Sequence, residues 1–422
     1  MTSTRPAPVT IEDLADPQFP AESVPIREAM AEMGASIVIE PNALREAAAA
    51  QTGLDDFGDR SYEERLEVLC KALRDEAGLS AAGRTTTFTQ LTQLLANRLL
   101  IQDVLNKHPE IHDERIERPI VIAGQPRTGT THLHNLMSSD TSLRSLPYWE
   151  SNEPVLRESE RGLGVDPRRE RTALGLDVIN TAMPYFKRMH EMTPDHVHEE
   201  IHLLAIDFSS MVFETMAPMP TWRDYYRSTD QTPVYGYLKT VLKVLQWLRG
   251  GTRWLLKSPQ HLEQFGPLLK TFPDATIVIT HRDPVAITAS TGTMLSYLSR
   301  LSHERVDPVR IGRYWAARLE EMFRACVDER DLVPESQSID VLFHEFMADD
   351  VAMVERVYEI AGQPMTADVR ASMDEFMRAN PRGRHGTVRY DLEVLGLDTS
   401  ERRSALAFYS DRFGVREEKT GG

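Results

Sequence analysis

The sequence predicts an α/β fold, a doubly wound parallel sheet with helices on both faces, preceded by a helical N-terminal extension. Two observations lead to it. From Pro119 onward, short apolar and β-branched runs recur, each bounded by turn residues and followed by a helical pattern. Before that point, residues 1–115 carry apolar positions at helical spacing and no such runs.

In the extension, Tyr62 to Leu79 and Phe88 to Leu105 read as helices with Gly and Pro breaks between them. The strands expected are Pro119 to Ala123, Trp254 to Leu256, Thr276 to Thr280 and Ile339 to Phe343. Their continuous apolar character fits strands covered on both faces. Helices follow at Tyr235 to Arg249, stopped by Gly250-Gly251, at Ile311 to Glu329, and at Ala352 to Ala361 before Gly362. The α/β region is expected over 116–422. Within it, residues 151–230 are rich in Met, Pro, His and acids and form an insertion large enough to shape an acceptor pocket.

Composition narrows the function. A net charge of −16 over 422 residues argues against a nucleic-acid partner, because duplex binding needs a basic face. No apolar run is long enough to span a membrane. The N-terminal residues lack an apolar stretch after their arginine, and only Cys70 and Cys326 are present, so a cytoplasmic protein with free core thiols is expected. Nothing in the chain specifies an oligomeric state.

The first strand runs into the turn GQPRTGTT at 124–131. Gly124 and Gly129 keep P-loop spacing, but Thr130 stands where an ATPase carries lysine, and Arg127 is the only cation inside the loop. Unpaired amides leading into a helix N-terminus bind anions without that lysine, so a phosphate or sulfate ligand is expected. The third strand ends at His281-Arg282, Pro284 opens a helix, and Ser290 lies eight residues beyond Arg282. Ligands of open parallel sheets bind beyond the carboxyl ends of the strands, where both arginines belong.

Together these motifs resemble the sulfotransferases that use 3′-phosphoadenosine 5′-phosphosulfate (PAPS), a P-loop-like fold. The resemblance spans roughly residues 119–415. It implies that Pro126, Arg127, Thr128, Gly129, Thr130 and Thr131 hold the 5′-phosphosulfate, and that Arg282 and Ser290 bind the 3′-phosphate. The stretch NPRGRHG resembles the family's late glycine loop, which assigns Arg382, Gly383, Arg384 and Gly386 to the same phosphate. His344, in VLFHEF, stands at the position of an aromatic that contacts adenine. Lys257 matches the lysine on the transferring group, but Ser258-Pro259 replaces Thr-His, so the base must lie elsewhere.

Two bases are open. His261 lies two residues beyond Pro259. The other is Glu200: over residues 194–208 a helix would place Val197, Ile201, Leu204, Ala205 and Phe208 on one face, with Glu200 flanking it and Glu199 nearly opposite. A paired Glu-Glu here also matches bacterial members of the family. The same residues spell H-E-x-x-H, a zinc-hydrolase pattern, but no metzincin continuation follows, and no metal is expected. The function expected is sulfuryl transfer from PAPS to a hydroxyl of a small-molecule or lipid-like acceptor, catalysed by Arg127, Lys257 and Glu200 or His261. The alternatives are a P-loop-type kinase or NTPase, and a non-catalytic module that binds the nucleotide product PAP.

Overall fold

A computed structural model describes residues 6–418; the outermost residues of the N-terminal extension and of the α/β region, 1–5 and 419–422, lie outside it. Four parallel strands form the sheet: β1 (Ile120–Ala123), β2 (Leu255–Ser258), β3 (Thr276–His281) and β4 (Ser338–Leu342), in the order β2-β1-β3-β4. Every expected strand is present, with ends moved by one or two residues.

Side chains alternate between two cores because successive residues of a strand point to opposite faces. Val121, Ala123, Leu256, Ile277 and Ile279 face one core, which is continuous with Tyr62, Leu66, Leu95 and Leu99 of the N-terminal helices. Ile120, Ile122, Leu255, Val278 and Val341 face the other, against Leu133, Met353 and Val357. Thus the sheet is covered on both sides, as its continuous hydrophobicity requires.

The N-terminal helices are Tyr62–Asp75 and Ala81–Lys107, the second capped by Ser80, whose Oγ accepts from the Gly83 amide at 3.0 Å. The helix after β3 is Pro284–Ser299. Asp283 caps it by accepting from the Val285 amide at 2.9 Å, and Pro284 occupies the first turn where no amide is needed. The other expected helices are Thr232–Arg249, Pro308–Glu329 and Asp350–Ala361. Cys70 and Cys326 are unpaired and buried, and burial pushes the Cys70 thiol up to about 12. Among the described residues no helix is long and apolar enough to cross a membrane.

One expectation fails. Residues 194–208 do not form a single helix; only Ile201–Ala205 is helical, with Glu200 at its N-cap. The preceding stretch is drawn out along residues 146–148: the His198 amide donates to the Leu146 carbonyl at 2.7 Å, and the Tyr148 amide donates to that of His196 at 2.9 Å. Pairing with a neighbouring segment overrides the 3.6-residue pattern.

Candidate active site

A cavity of 830 Å³ opens beyond the carboxyl ends of the strands. Its floor is the turn after β1. Gly129 adopts φ 89° and Arg127 φ 75°, so the chain folds tightly before the helix Thr130–Ser138 begins. Gly124 is equally constrained, since a Cβ there would overlap Thr280 Oγ1. Gly124, Pro126, Arg127, Gly129, Thr130 and Thr131 line the cavity. Thr128 does not: it is buried, and its hydroxyl bonds the Gln125 carbonyl at 2.7 Å and Thr280 Oγ1 at 2.6 Å. Its side chain therefore fixes the turn and faces away from the ligand space.

Arg127 Nε donates to Ser290 Oγ at 3.0 Å, and the same guanidinium donates to the Met189 carbonyl and to the Tyr390 hydroxyl at 3.4 Å. Arg282 Nη1 donates to the Arg127 carbonyl at 2.6 Å. The remaining Arg282 nitrogens form a two-pronged pair with Glu418 at 2.6 and 2.7 Å. The structure therefore brings Arg127, Arg282 and Ser290 together, although Ser290 itself sits beneath the cavity surface.

Arg282 also lies over the ring of Phe343, 4.2 Å from its centroid. Phe343 lines the cavity and His344 does not. Because β4 ends at Leu342 and a helix begins at Phe343, the next residue is rotated by about 100° and leaves the cavity wall. The aromatic facing the ligand space is thus Phe343.

Residues 380–386 close the same end. Gly383 and Gly386 both have left-handed φ, 71° and 81°, which lets Arg382 and Arg384 project from a compact loop. Arg382 pairs with buried Asp350, and Arg384 pairs with Glu191. Burial alone would raise the Glu191 carboxyl, but hydrogen bonds from Arg384 and His385 outweigh it and hold the group below its ordinary value.

The two glutamates exchange the places the helical reading gave them. Glu199 lines the cavity and pairs with the ammonium of Lys257 at the end of β2. Glu200 is fully buried, accepting from the Lys257 amide at 2.8 Å and from His261 Nε2 at 2.5 Å. His261 is buried as well, its Nδ1 accepting from the Tyr235 hydroxyl at 2.7 Å. As the N-cap, Glu200 turns inward to the sheet while Glu199, one residue earlier on extended chain, points the other way. Neither Glu200 nor His261 reaches the cavity.

Sequence reasoning weighed His198 and His202 only as an H-E-x-x-H pattern and missed the wider group of histidines here. His190, His196, His198 and His202 all line the cavity. Burial, reinforced by Lys257 and neighbouring imidazoles, pushes His190 and His198 well below the ordinary histidine range. Burial brings His202 to about 4, and burial together with Lys257 does the same to His196. The signal was their crowding: four of the chain's 13 histidines fall between residues 190 and 202. The rest of this wall is apolar, with Met189, Met192, Met211, Met294, Leu298 and Trp315.

A P-loop-like α/β sheet with a lysine and several arginines at its carboxyl edge defines an anion-handling transferase. The model of the sulfotransferase family matches residues 119–367, more than half of the chain, and the chain belongs to that family. Two solved structures are similar over almost their whole length. The sulfotransferase STF1 from Mycobacterium tuberculosis H37Rv is 28% identical, with a TM-score of 0.77, covering 88% of this chain and 99% of its own. The sulfotransferase STF9 from Mycobacterium avium is 27% identical, with a TM-score of 0.80, covering 92% of this chain and 99% of its own. Comparison with curated proteins gives no match.

Proposed function

We propose that the protein transfers the sulfuryl group of PAPS to a hydroxyl of an apolar, small-molecule or lipid-like acceptor. The observation that carries this reading is the Lys257–Glu199 pair, standing in the cavity whose floor is the turn 124–131. A cation for the transferring group and a carboxylate for the acceptor's proton share one wall.

Glu199 takes the proton of the acceptor hydroxyl as its oxygen attacks sulfur. The new oxygen–sulfur bond forms while the bond from sulfur to the 5′-phosphate oxygen breaks, and PAP departs with the electron pair. Before this step, as PAPS binds, Lys257 exchanges Glu199 for the sulfuryl oxygens. With Arg127 and the amides of Gly129, Thr130 and Thr131, it stabilises charge moving onto the leaving phosphate. The first amides of a helix have no partner within it, which frees them for this task.

Arg282, Arg382 and Arg384 hold the 3′-phosphate, Ser290 positions Arg127 beside them, and Phe343 stacks with the adenine. Glu200 and His261 support the reaction from below by fixing the Lys257 backbone. The methionine-rich wall suits an acceptor with an apolar body, because thioether side chains adapt to irregular apolar shapes. Incubation with labelled PAPS and a lipid extract, followed by mass spectrometry, tests the reading. It predicts acceptors gaining one sulfate and release of PAP; retention of all label on PAPS, with no preference for PAP over ADP in binding, would refute it.

A further inference from the structure

The transfer reaction uses none of the four cavity histidines. His190, His196 and His198 each bring a ring nitrogen to within 4.8 Å of the others. They arrive from separate points on a stretch that, between residues 190 and 200, belongs to no regular helix or strand. His198 is buried at 7% exposure, and its Nδ1 is sealed from solvent without any hydrogen-bond partner. A buried polar atom left unpaired destabilises by about 1–3 kcal/mol, so such an atom in a native protein calls for a partner, and an ion is one that a ring nitrogen accepts.

We propose that His190, His196 and His198 bind one divalent transition-metal ion of the imidazole-preferring kind, with Zn²⁺ and Co²⁺ as the test ions. Imidazole suits these ions and does not suit Mg²⁺ or Ca²⁺. Metal–nitrogen distances of about 2.0–2.1 Å in a tetrahedron place ligand nitrogens about 3.4 Å apart. Closing from the present spacing asks each ring to move by roughly an ångström, which irregular chain allows. Lys257, which lines the same cavity, is already paired with Glu199, and this offsets its repulsion of an incoming ion.

Three protein ligands leave a fourth position facing the cavity, the arrangement of an open rather than a structural site. That position lies on the acceptor side, where water or the acceptor's oxygen fills it. This set differs from the H-E-x-x-H pattern, in which His198 and His202 would share a helix. His198 precedes the helix, and His202 is outside the set.

The test uses the untagged full chain, stripped with a chelator and titrated with Co²⁺. One equivalent should produce the visible absorption of a tetrahedral cobalt centre, displaced by one equivalent of Zn²⁺. His196→Ala and His198→Ala should each lose that signal at stoichiometric metal, whereas His202→Ala and His132→Ala keep it. Far-UV circular dichroism and cooperative urea unfolding establish that each variant is folded. Should His198→Ala fail to fold, His196→Gln, which keeps bulk at a half-buried position, decides the matter alone. Absence of a saturable signal in the wild type, or an unchanged signal in either His196 variant, overturns the proposal. The readout does not depend on sulfuryl transfer.

Discussion

Exchanging each adjacent glutamate for glutamine or alanine separates chemistry from architecture. Glu199→Gln keeps an oxygen that accepts from Lys257 but cannot take a proton, so turnover should fall by about 10²–10⁴ while the fold is retained. At about 1.36 kcal/mol per tenfold, that is roughly 3–5.5 kcal/mol on the barrier. Glu200→Ala should do the reverse. It strands two buried donors, the Lys257 amide and His261 Nε2, and each unpaired donor costs about 1–3 kcal/mol, giving roughly 2–6 kcal/mol of lost stability. Glu200→Gln is milder. Its amide can donate to His261 Nε2 if the proton moves to Nδ1 and the Tyr235 hydroxyl becomes the acceptor there. Urea unfolding followed by intrinsic fluorescence reads stability, and release of PAP from labelled PAPS reads turnover. If Glu200→Gln lost as much turnover as Glu199→Gln at unchanged stability, the base would be Glu200 and the placement argument would be wrong.

Lys257→Ala should cut turnover while leaving PAP affinity within a few fold, since its ammonium answers charge that develops in the transition state; an equal loss of both would make it a ground-state binder. PAP at a hundredfold excess over its Kd should add about 2.7 kcal/mol of stability, detected as a thermal shift larger than that with ADP, and Arg282→Ala should erase the difference. An Arg282→Ala protein that still prefers PAP would return that residue to its pairing with Glu418. At the far edge of the sheet, burial would raise the Asp340 carboxyl, but hydrogen bonds from His281 and Arg330 outweigh it and bring it from 3.8 to about 2. A lowered carboxyl contributes stability that is complete above its unfolded value and disappears as pH falls from about 4 towards 2. Asp340→Asn should therefore flatten acid unfolding in that window; an unchanged acid transition in the variant would show that the pair carries no such linkage.

The sheet was legible because strands buried on both faces, such as Ile120–Ala123, leave a continuous apolar, β-branched run bounded by turn residues. The turn at 124–131 was legible because glycine spacing reports backbone geometry directly, and Gly129 does adopt the left-handed conformation. The placement of the two glutamates was not legible. Helical periodicity over 194–208 assumes that local hydrogen bonds win, yet residues 196–198 bond to the chain at 146–148, fifty residues away in sequence, and this reversal decides which glutamate meets Lys257. His344 failed for a related reason: a boundary error of one residue is harmless for a strand's existence, but it rotates the next side chain off the wall. Clustering of His190, His196 and His198 depends on the path of an irregular segment, and composition shows only that the residues are crowded.

Four of the five cations that the proposed function assigns to the donor are held by a carboxylate of the chain itself, Arg127 being bound instead by Ser290, Met189 and Tyr390. Arg282 has Glu418, Arg382 has Asp350, Arg384 has Glu191, and Lys257 has Glu199. This resolves a tension in the composition, since a protein of net charge −16 must gather several positive groups around a polyanion. Intramolecular pairing holds those side chains near their working positions and suppresses their mutual repulsion before the ligand arrives. In the proposed function, binding of PAPS would be an exchange of carboxylates for phosphates and sulfate, so its net gain would be the difference between two charge-assisted sets and not the sum of new contacts. The partners are not equivalent in what happens after the exchange. Glu418, Asp350 and Glu191 would be displaced from the cations proposed to bind phosphate and would have no further part. Glu199, released when Lys257 turns to the sulfuryl group, would be left as an unpaired carboxylate beside the acceptor hydroxyl, and the proposed reaction would thereby couple arrival of the donor to generation of the base.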